Sequence, residues 1–355
     1  MRPTMTTQST DEVVFEVRGS LGLVTLSRPK ALNALTLGMI RAMQAQLRDW
    51  AADDRVTRVV VQGSGGRAFC AGGDVRRIYE AAKAGQTKAM FEIWRGEYEL
   101  VAAMARYPKT IVALIDGIVM GGGVGISVHG PYRVASESYA FAMPEVGIGF
   151  IPDVGTTAIL PRLAGRSGTY LALTGSRISA GDALTLGLAT HAARAADFPA
   201  ILDALAEGGP IEPVLAAHAA PPPPTGPVIR EAALIDTCFS AESVPAILER
   251  LDAVAGSDFA AETARTLRSR SPTSLCLAFE QMRRGLDLDV IAAIRTEYRL
   301  VTRIMRGHDF YEGVRAVLVE KDNRPAWQPA TLDAVDPDAV QEAFAPTEEP
   351  EPSFV

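Results

Sequence analysis

The chain of 355 residues is poor in cysteine and histidine, and neither residue type is clustered. There is no CxxC pair, and no two histidines have the short spacing of metal ligands. The residues concerned are Cys70, Cys238, Cys276, His129, His191, His218 and His308. We therefore expect no disulfide framework and no metal site. A reducing compartment fits this cysteine content best.

Long apolar runs are also missing. No uninterrupted run reaches the roughly 18–20 residues that a membrane-spanning helix needs. Residues 1–10 lack the apolar centre of a signal peptide and the Arg-rich, amphipathic length of an organellar presequence. These absences predict a soluble, cytoplasmic protein with no membrane association, in which residues 1–11 form a flexible N-terminus.

Basic residues are outnumbered by acidic ones, which gives a formal net charge of −7. This balance argues against general nucleic-acid binding, although it leaves room for a local basic pocket for a phosphorylated ligand. No phosphate-binding GxxxxGK[ST] loop is present, and no GxGxxG turn opens a βαβ unit. Ser127 and His129 stand two residues apart without a third triad member, which argues against a serine hydrolase.

Strand and helix patterns alternate up to about residue 190. Two apolar runs separated by Gly19-Ser20 predict a β-hairpin, and apolar residues at helical spacing predict a helix over Leu35–Ala52. The hairpin strands are Val13–Arg18 and Leu21–Leu26. Further strands are predicted at Thr57–Gln62, Ile111–Ile115, Tyr132–Ala135 and Tyr139–Ala142, and further helices from about Asp74 and over Ile78–Met104.

The second half of the chain shows a helical pattern and no further strand. Between the halves, residues 206–230 include four consecutive prolines, which favour an extended linker or surface loop. Both readings stay open. Residues 231–345 are predicted to form a helical region that covers the functional site, whose candidate residues lie in the first half of the chain. The acidic, Pro-containing tail, residues 346–355, is predicted to be disordered.

Two glycine turns each lie between a strand and a helix: Phe69-Cys70-Ala71-Gly72-Gly73-Asp74 and Met120-Gly121-Gly122-Gly123. Backbone N–H groups at a helix start are unpaired and lie at the positive end of the helix dipole. Glycine lets a ligand approach that backbone closely. Two such turns that converge would form an oxyanion hole, whereas each turn alone could equally be a tight turn with close packing.

Four segments resemble the crotonase, or enoyl-CoA hydratase/isomerase, superfamily in their sequence and in their order along the chain. They are Arg28–Leu35, Ala68–Asp74, Asp116–Gly123 and Met143-Pro144-Glu145, and the resemblance runs from about residue 12 to 345. It implies an α/β fold with a strand–helix spiral core over residues 12–205. It also implies an acyl-CoA substrate, with backbone N–H groups of Gly73 and Gly122 holding its thioester oxygen. No cofactor is implied beyond the coenzyme A of the substrate, and a homo-oligomer is possible.

The carboxylates separate the branches of that superfamily. Hydratases carry a glutamate three residues after the second oxyanion glycine, where this chain has Gly125. Their other glutamate matches Glu145, and Asp153 follows in a Pro-Asp-Val-Gly turn. This pattern resembles a branch that hydrolyses 3-hydroxyisobutyryl-CoA in valine catabolism. The resemblance implies that Glu145 acts as base or nucleophile. Asp153 would bind the substrate hydroxyl or position water, or would only cap its turn.

Three further predictions depend on that resemblance. Glu97 matches a substrate-binding position, although a solvated helix face is the other interpretation. Arg28, Lys30 and Ala71 are weaker candidates for contacts with CoA. The function expected is hydrolysis of a short, branched 3-hydroxyacyl-CoA. An enoyl-CoA hydratase or isomerase and a catalytically silent acyl-CoA-binding protein remain the alternatives.

Overall fold

Eleven strands form two sheets in a computed structural model, which describes residues 9–347, 351, 352 and 354. In chain order the strands are β1 (Ser9–Thr10), β2 (Val13–Arg18), β3 (Leu21–Leu26), β4 (Arg58–Gly63), β5 (Ala68–Cys70), β6 (Thr110–Ile115), β7 (Ile118–Met120), β8 (Tyr132–Ala135), β9 (Ala140–Ala142), β10 (Ile178–Ser179) and β11 (His191–Ala192). The larger sheet has the order β1-β2-β3-β4-β6-β8-β11, and the smaller sheet has the order β10-β9-β7-β5. The predicted hairpin of β2 and β3 is confirmed, with Val13 opposite Leu26.

Seventeen α-helices are assigned in the described part of the chain. The first seven are α1 (Leu37–Ala52), α2 (Val75–Lys83), α3 (Thr87–Ala105), α4 (Gly122–Gly125), α5 (Thr156–Ile159), α6 (Ser167–Thr174) and α7 (Ala180–Thr185). The others are α8 (Phe198–Ala206), α9 (Ile211–Ala217), α10 (Pro227–Arg230), α11 (Ala232–Phe239), α12 (Val244–Asp252), α13 (Asp258–Arg268), α14 (Pro272–Arg284), α15 (Val290–Ile304), α16 (Asp309–Val314) and α17 (Pro337–Glu342). This alternation of strands and helices, followed by a helical C-terminal region, confirms the predicted α/β class.

The parallel strands β3, β4, β6 and β8 form the centre of the larger sheet. Val59 and Val61 belong to the main core, while Val60 on the opposite face packs in a second apolar layer with Ile201 and Leu205 of α8. Parallel sheets are usually covered on both faces in this way, so their strands form continuous apolar runs. That is why β4 and β6 were readable from sequence.

Helix α1 shows how sequence fixes one of these layers. Thr36 accepts a hydrogen bond from the Met39 N–H and caps the helix start. The predicted apolar face is buried throughout, and it consists of Met39, Ile40, Met43, Leu47 and Trp50. Trp50 meets Phe15 of β2 edge to face, with ring centres 6.0 Å apart.

Short elements were the ones that the sequence pattern did not reveal. β5, β7, β10 and β11 have two or three residues each, too few for a periodic signal. β11 is therefore a strand where no strand was predicted. The predicted helix Ile78–Met104 is two helices, because Gly85 at φ +71° ends the first of them.

Parallel pairing in the smaller sheet brings the starts of the two glycine turns together. β5 and β7 run side by side in the same direction, with Ala68 opposite Ile118. Their carboxyl ends therefore meet at one edge of the sheet, and the two glycine turns begin at that edge.

The Pro-rich segment and the tail both contact the rest of the protein. Ala220 N–H donates to the Ala192 carbonyl at 2.8 Å, and Gly226 N–H donates to Asp182 Oδ1 at 2.6 Å. In the tail, Glu351 pairs with Arg299 at 2.6 Å, a contact not expected of a disordered segment. Residues 1–8, 348–350, 353 and 355, where flexibility or disorder was predicted, lie outside the described residues.

The described residues contain neither a membrane-spanning helix nor a metal-binding cluster. No described helix is both long enough and apolar enough to cross a membrane. Across residues 9–347, 351, 352 and 354, no group of histidine, cysteine, aspartate and glutamate side chains could hold a metal ion.

Candidate active site

The two glycine turns touch each other. Gly72 has φ +107° and Gly121 has φ +48°, conformations that favour glycine. A β-carbon at Gly72 would lie 3.4 Å from the Met120 carbonyl oxygen and 3.7 Å from the Gly122 nitrogen. A side chain at Gly72 would meet these atoms at ordinary contact distances, so it is the positive φ, and not a lack of space, that favours glycine there.

Backbone pairing directs the Gly73 N–H away from the segment around Leu35. Gly73 forms a parallel bridge with Leu35, in which Leu35 N–H donates to Gly72 O at 2.8 Å and Asp74 N–H donates to Leu35 O at 2.9 Å. In such a bridge the N–H of the central residue points to the other side. Gly122 is the first residue of α4, so its N–H has no partner within the helix. Both glycines line the same cavity.

Glu97 of α3 lies against both of these glycines. Its side chain is 1% exposed, so it is not on a solvated helix face. A β-carbon at Gly73 would lie 3.5 Å from Glu97 Oε2, in ordinary contact, whereas one at Gly122 would collide with Glu97 Oε1. Position 122 therefore has no room for any side chain while Glu97 keeps this position.

Glu145 lies against the second of these turns. It begins a short 3₁₀ turn, Glu145–Ile148, and is 7% exposed. Its Oε1 would lie 3.1 Å from a β-carbon at Gly121. Glu145 Oε2 and Glu97 Oε1 are both buried without a hydrogen-bond partner among the described residues. Buried carboxylate oxygens usually have partners, so these two are available to a ligand.

Asp153 completes the group of acids and is 3% exposed. The Tyr98 hydroxyl, one residue beyond Glu97 in α3, donates to Asp153 Oδ2 at 2.8 Å. The side chain thus binds a tyrosine of another element instead of capping its own turn.

A cavity of about 270 Å³ unites these residues. Its lining includes Gly73, Glu97, Gly122, Glu145 and Asp153, together with Ala71, Trp94, Phe150, Arg270, Val317 and Asn323. The rings of Trp94 and Phe150 stack with centres 4.8 Å apart and form an apolar wall. Arg270, Val317 and Asn323 come from the C-terminal half of the chain, so that half contributes to the lining of the cavity.

Burial and repulsion between neighbouring carboxylates raise the pKa values of these acids. Loss of hydration, followed by the charge of Glu97, raises the pKa of Glu145 to about 8. Burial raises the pKa of Glu97 to about 7. The pKa of Asp153 is also raised well above its usual range, first by burial and then by the charges of Glu97 and Glu145. Clustered acids with raised pKa values are typical of sites that transfer protons near neutral pH.

The Glu145→Gln variant is expected to melt at a higher temperature than the wild type at about pH 9. In the unfolded chain Glu145 ionises near its ordinary pKa of about 4.3, whereas in the fold its pKa is about 8. The folded state therefore binds more protons between these two values, and stability falls as pH rises through that window. Glutamine cannot ionise and escapes this loss. Thermal unfolding measured at about pH 5 and about pH 9 checks this, and an equal difference at both pH values would contradict it.

The candidate CoA contacts divide. Arg28 is held within the protein, since it pairs with Glu12 at 3.0 Å and Asp74 at 3.1 Å. These two ion pairs already use its charge within the protein, and a contact between Arg28 and CoA stays a prediction. Lys30 is exposed. Ala71 lines the cavity, but its N–H donates to the Leu32 carbonyl.

No room exists for a glutamate at the hydratase position, residue 125. A β-carbon at Gly125 would lie 2.6 Å from Val154 Cβ and 2.8 Å from Val101 Cγ2. Two branched apolar side chains therefore fill the space that a glutamate would need, and the loss of that acid is built into the packing.

Sequence reasoning missed the side chains that support Asp153. Tyr98 stands next to Glu97, yet no local pattern shows that it reaches residue 153. Glu297 lies within the span of the family resemblance, residues 12–345, but the sequence predicted no role for it. Its raised pKa, about 7 through burial, and its contacts appear only in the fold.

Curated relatives match nearly the whole chain. A protein of Danio rerio named "3-hydroxyisobutyryl-CoA hydrolase, mitochondrial" is 44% identical over 97% of this chain and 92% of its own length. The Homo sapiens protein of the same name is 43% identical over 94% of this chain and 89% of its own length.

Solved structures match the fold at similar identity. The carnitinyl-CoA dehydratase from Mycobacterium thermoresistibile is 42% identical with a TM-score of 0.91, and covers 97% of this chain and 99% of that one. The enoyl-CoA hydratase from Rhodobacter sphaeroides is 38% identical with a TM-score of 0.87, and covers 94% of this chain and 97% of that one.

The predicted cytoplasmic location is wrong by this comparison. The curated relatives, including those from Danio rerio, Xenopus tropicalis and Homo sapiens, are named mitochondrial. The prediction relied on the absence of an Arg-rich presequence, and such an absence does not determine a compartment.

The family described as enoyl-CoA hydratase/isomerase matches residues 21–344. That span contains both glycine turns and all of the buried acids described above. The chain therefore belongs to the enoyl-CoA hydratase/isomerase family.

Proposed function

We propose that this protein hydrolyses 3-hydroxyisobutyryl-CoA to 3-hydroxyisobutyrate and CoA, the activity for which its curated relatives are named. The observation that carries the proposal is the arrangement of acids. Glu145 and Asp153 line a cavity beside two glycine turns, while valine side chains fill the space of the hydratase glutamate at Gly125. A place in valine breakdown follows from this substrate.

The glycine turns would stabilise the charge that develops on the thioester oxygen. The N–H of Gly73 is not used in the bridge to Leu35, and the N–H of Gly122 has no partner within α4. Preorganised donors of this kind act strongly because they are fixed before charge develops. Glu97 lies against both glycines, and in its protonated form it can donate a further hydrogen bond to the substrate.

Glu145 would activate the attack on the thioester carbon. As a general base it takes a proton from water, whose oxygen bonds to the carbonyl carbon. As a nucleophile its carboxylate forms a mixed anhydride, which water then cleaves. In both routes the C–S bond breaks, and the CoA thiolate leaves and takes up a proton. Both routes use only water and the Glu145 carboxylate and need no cofactor. Coenzyme A is part of the substrate.

A different reaction is named for the solved relatives, which are a dehydratase and a hydratase. Hydration adds water across a C=C bond and normally uses two acids, one of them at the position of Gly125. Release of free thiol from 3-hydroxyisobutyryl-CoA is therefore expected to be much faster than hydration of crotonyl-CoA. A thiol-reactive dye measures the first rate, and loss of the enoyl absorbance measures the second. Rapid hydration without thiol release would refute the proposal.

Replacement of Asp153 by asparagine is expected to slow hydrolysis of 3-hydroxyisobutyryl-CoA about tenfold or more. A hydrogen bond to a charged group contributes roughly 1.5–3 kcal/mol, and about 1.4 kcal/mol corresponds to a factor of ten. Isobutyryl-CoA, which lacks the hydroxyl, is the matched substrate and should be affected less.

The comparison of the two substrates decides the role of Asp153. An equal loss on both would mean that Asp153 serves the thioester chemistry and does not recognise the hydroxyl. No loss on either would leave it without a part in the reaction.

A further inference from the structure

The turn that carries Asp153 has an unfavourable backbone. Val154 has φ +57° and Gly155 has φ +86°, so two consecutive residues adopt the left-handed conformation. For a β-branched residue such as valine this conformation is rare, and it persists only where the surroundings impose it. Something outside the turn must therefore hold it.

Glu297 of α15 is one of the groups that do so. Its Oε2 accepts a hydrogen bond from Gly155 N–H at 2.7 Å, and its Oε1 accepts one from Thr157 N–H at 3.0 Å. Its side chain is fully buried. Both oxygens of a buried carboxylate are thus used on the backbone immediately after Asp153.

Other contacts hold the same turn. Gln281 of α14 donates through Nε2 to the Pro152 carbonyl at 3.0 Å. His129 Nε2 lies 2.8 Å from the Val154 carbonyl oxygen and must be the donor there, since a carbonyl only accepts. Tyr298, the neighbour of Glu297, packs edge to face on Tyr98, with ring centres 6.3 Å apart, and Tyr98 binds Asp153. Helix α15 therefore supports Asp153 in two ways. Glu297 holds the backbone that follows it, and Tyr298 packs on the tyrosine that binds its side chain.

We propose that Glu297 is a positioning residue that acts through Asp153: its carboxylate fixes the turn Pro152–Thr157 so that the Asp153 side chain faces the cavity. The inference rests on the proposed part of Asp153 in the reaction. It assigns the C-terminal helices a task beyond lining the cavity, because they set the geometry of an acid that belongs to the first half of the chain.

A double-mutant cycle separates this role from a general contribution to folding. Glu297→Gln keeps the size of the side chain but replaces one acceptor oxygen by a donor that faces an N–H. It is expected to lower kcat for 3-hydroxyisobutyryl-CoA about tenfold or more and to change KM little. In the Asp153→Asn background the same replacement should cost less than about twofold, because residues that act as a unit are not additive.

A matched control comes from Glu280, a buried glutamate of α14 that pairs with Arg283 and Arg284. Glu280→Gln makes the same chemical change away from the cavity and should leave kcat unaltered. Melting curves must show that each variant is folded at the assay temperature. If Glu297→Gln is not, Glu297→Asp, which keeps the charge and shortens the reach, enters the same cycle.

The inference is overturned if Glu297→Gln lowers kcat by the same factor in both backgrounds, or does not lower it at all. Absence of thiol release from the wild type would defeat the proposed function instead. The cycle would then be measured on crotonyl-CoA hydration with the same criterion, so the two failures remain distinguishable.

Discussion

Glu145→Gln is expected to lower the rate of thioester hydrolysis by at least ~10²-fold, and by as much as ~10⁴-fold, because a side chain that transfers a proton or attacks contributes at least this much. The amide has nearly the same shape and still fills the space beside Gly121. It can neither take a proton from water nor attack the thioester carbon. Steady-state thiol release gives the rate, and calorimetric titration with a non-hydrolysable CoA thioether gives the affinity, which should be retained.

A melting curve at the assay pH must show that the variant is folded, and at alkaline pH the variant is expected to be the more stable protein. Glu92→Gln is a suitable control because Glu92 lies in α3 on the surface and pairs with Arg41. It should behave as the wild type. If Glu145→Gln retains more than about a tenth of the activity, well short of the loss expected for a catalytic acid–base group, Glu145 has no catalytic part.

The second large effect is expected at Gly73. Gly73→Pro deletes the N–H that we propose as an oxyanion donor, and the loss of one such donor costs ~10²–10³-fold in kcat. Gly73→Ala is the matched control. It keeps the N–H, and its β-carbon would lie 3.5 Å from Glu97 Oε2, in ordinary contact. The alanine variant should therefore keep most of the activity that the proline variant loses.

Gly122 is less suitable for this test, because any β-carbon there would collide with Glu97 Oε1 and two effects would be mixed. Melting curves of both Gly73 variants must show intact folds. A folded Gly73→Pro protein as fast as Gly73→Ala would remove the Gly73 N–H from the mechanism.

The sequence predicted the elements whose signal is local. The hairpin β2–β3, the apolar face of α1 and the two glycine turns each depend on a few neighbouring residues. The motif order then placed Glu145 and Asp153 in one family pattern. The structure brings these two acids together with Gly73, Gly122 and Glu97 around one cavity.

What the sequence did not predict depends on contacts across long separations. Tyr98 reaches Asp153 over 55 positions, and Glu297 reaches Gly155 over 142 positions. Arg28 carried a charge suited to CoA phosphates, but its partners Glu12 and Asp74 occupy it in the fold. No local pattern distinguishes a free cation from a paired one.

The site is proposed to break a thioester bond and neither to remove nor to add water at the acyl chain. One substrate tests it, because 3-hydroxyisobutyryl-CoA can follow either course. Mass spectrometry of the products after complete turnover should show 3-hydroxyisobutyrate and free CoA, formed in equal amounts. Accumulation of the dehydrated, unsaturated acyl-CoA with the thioester intact would contradict the claim.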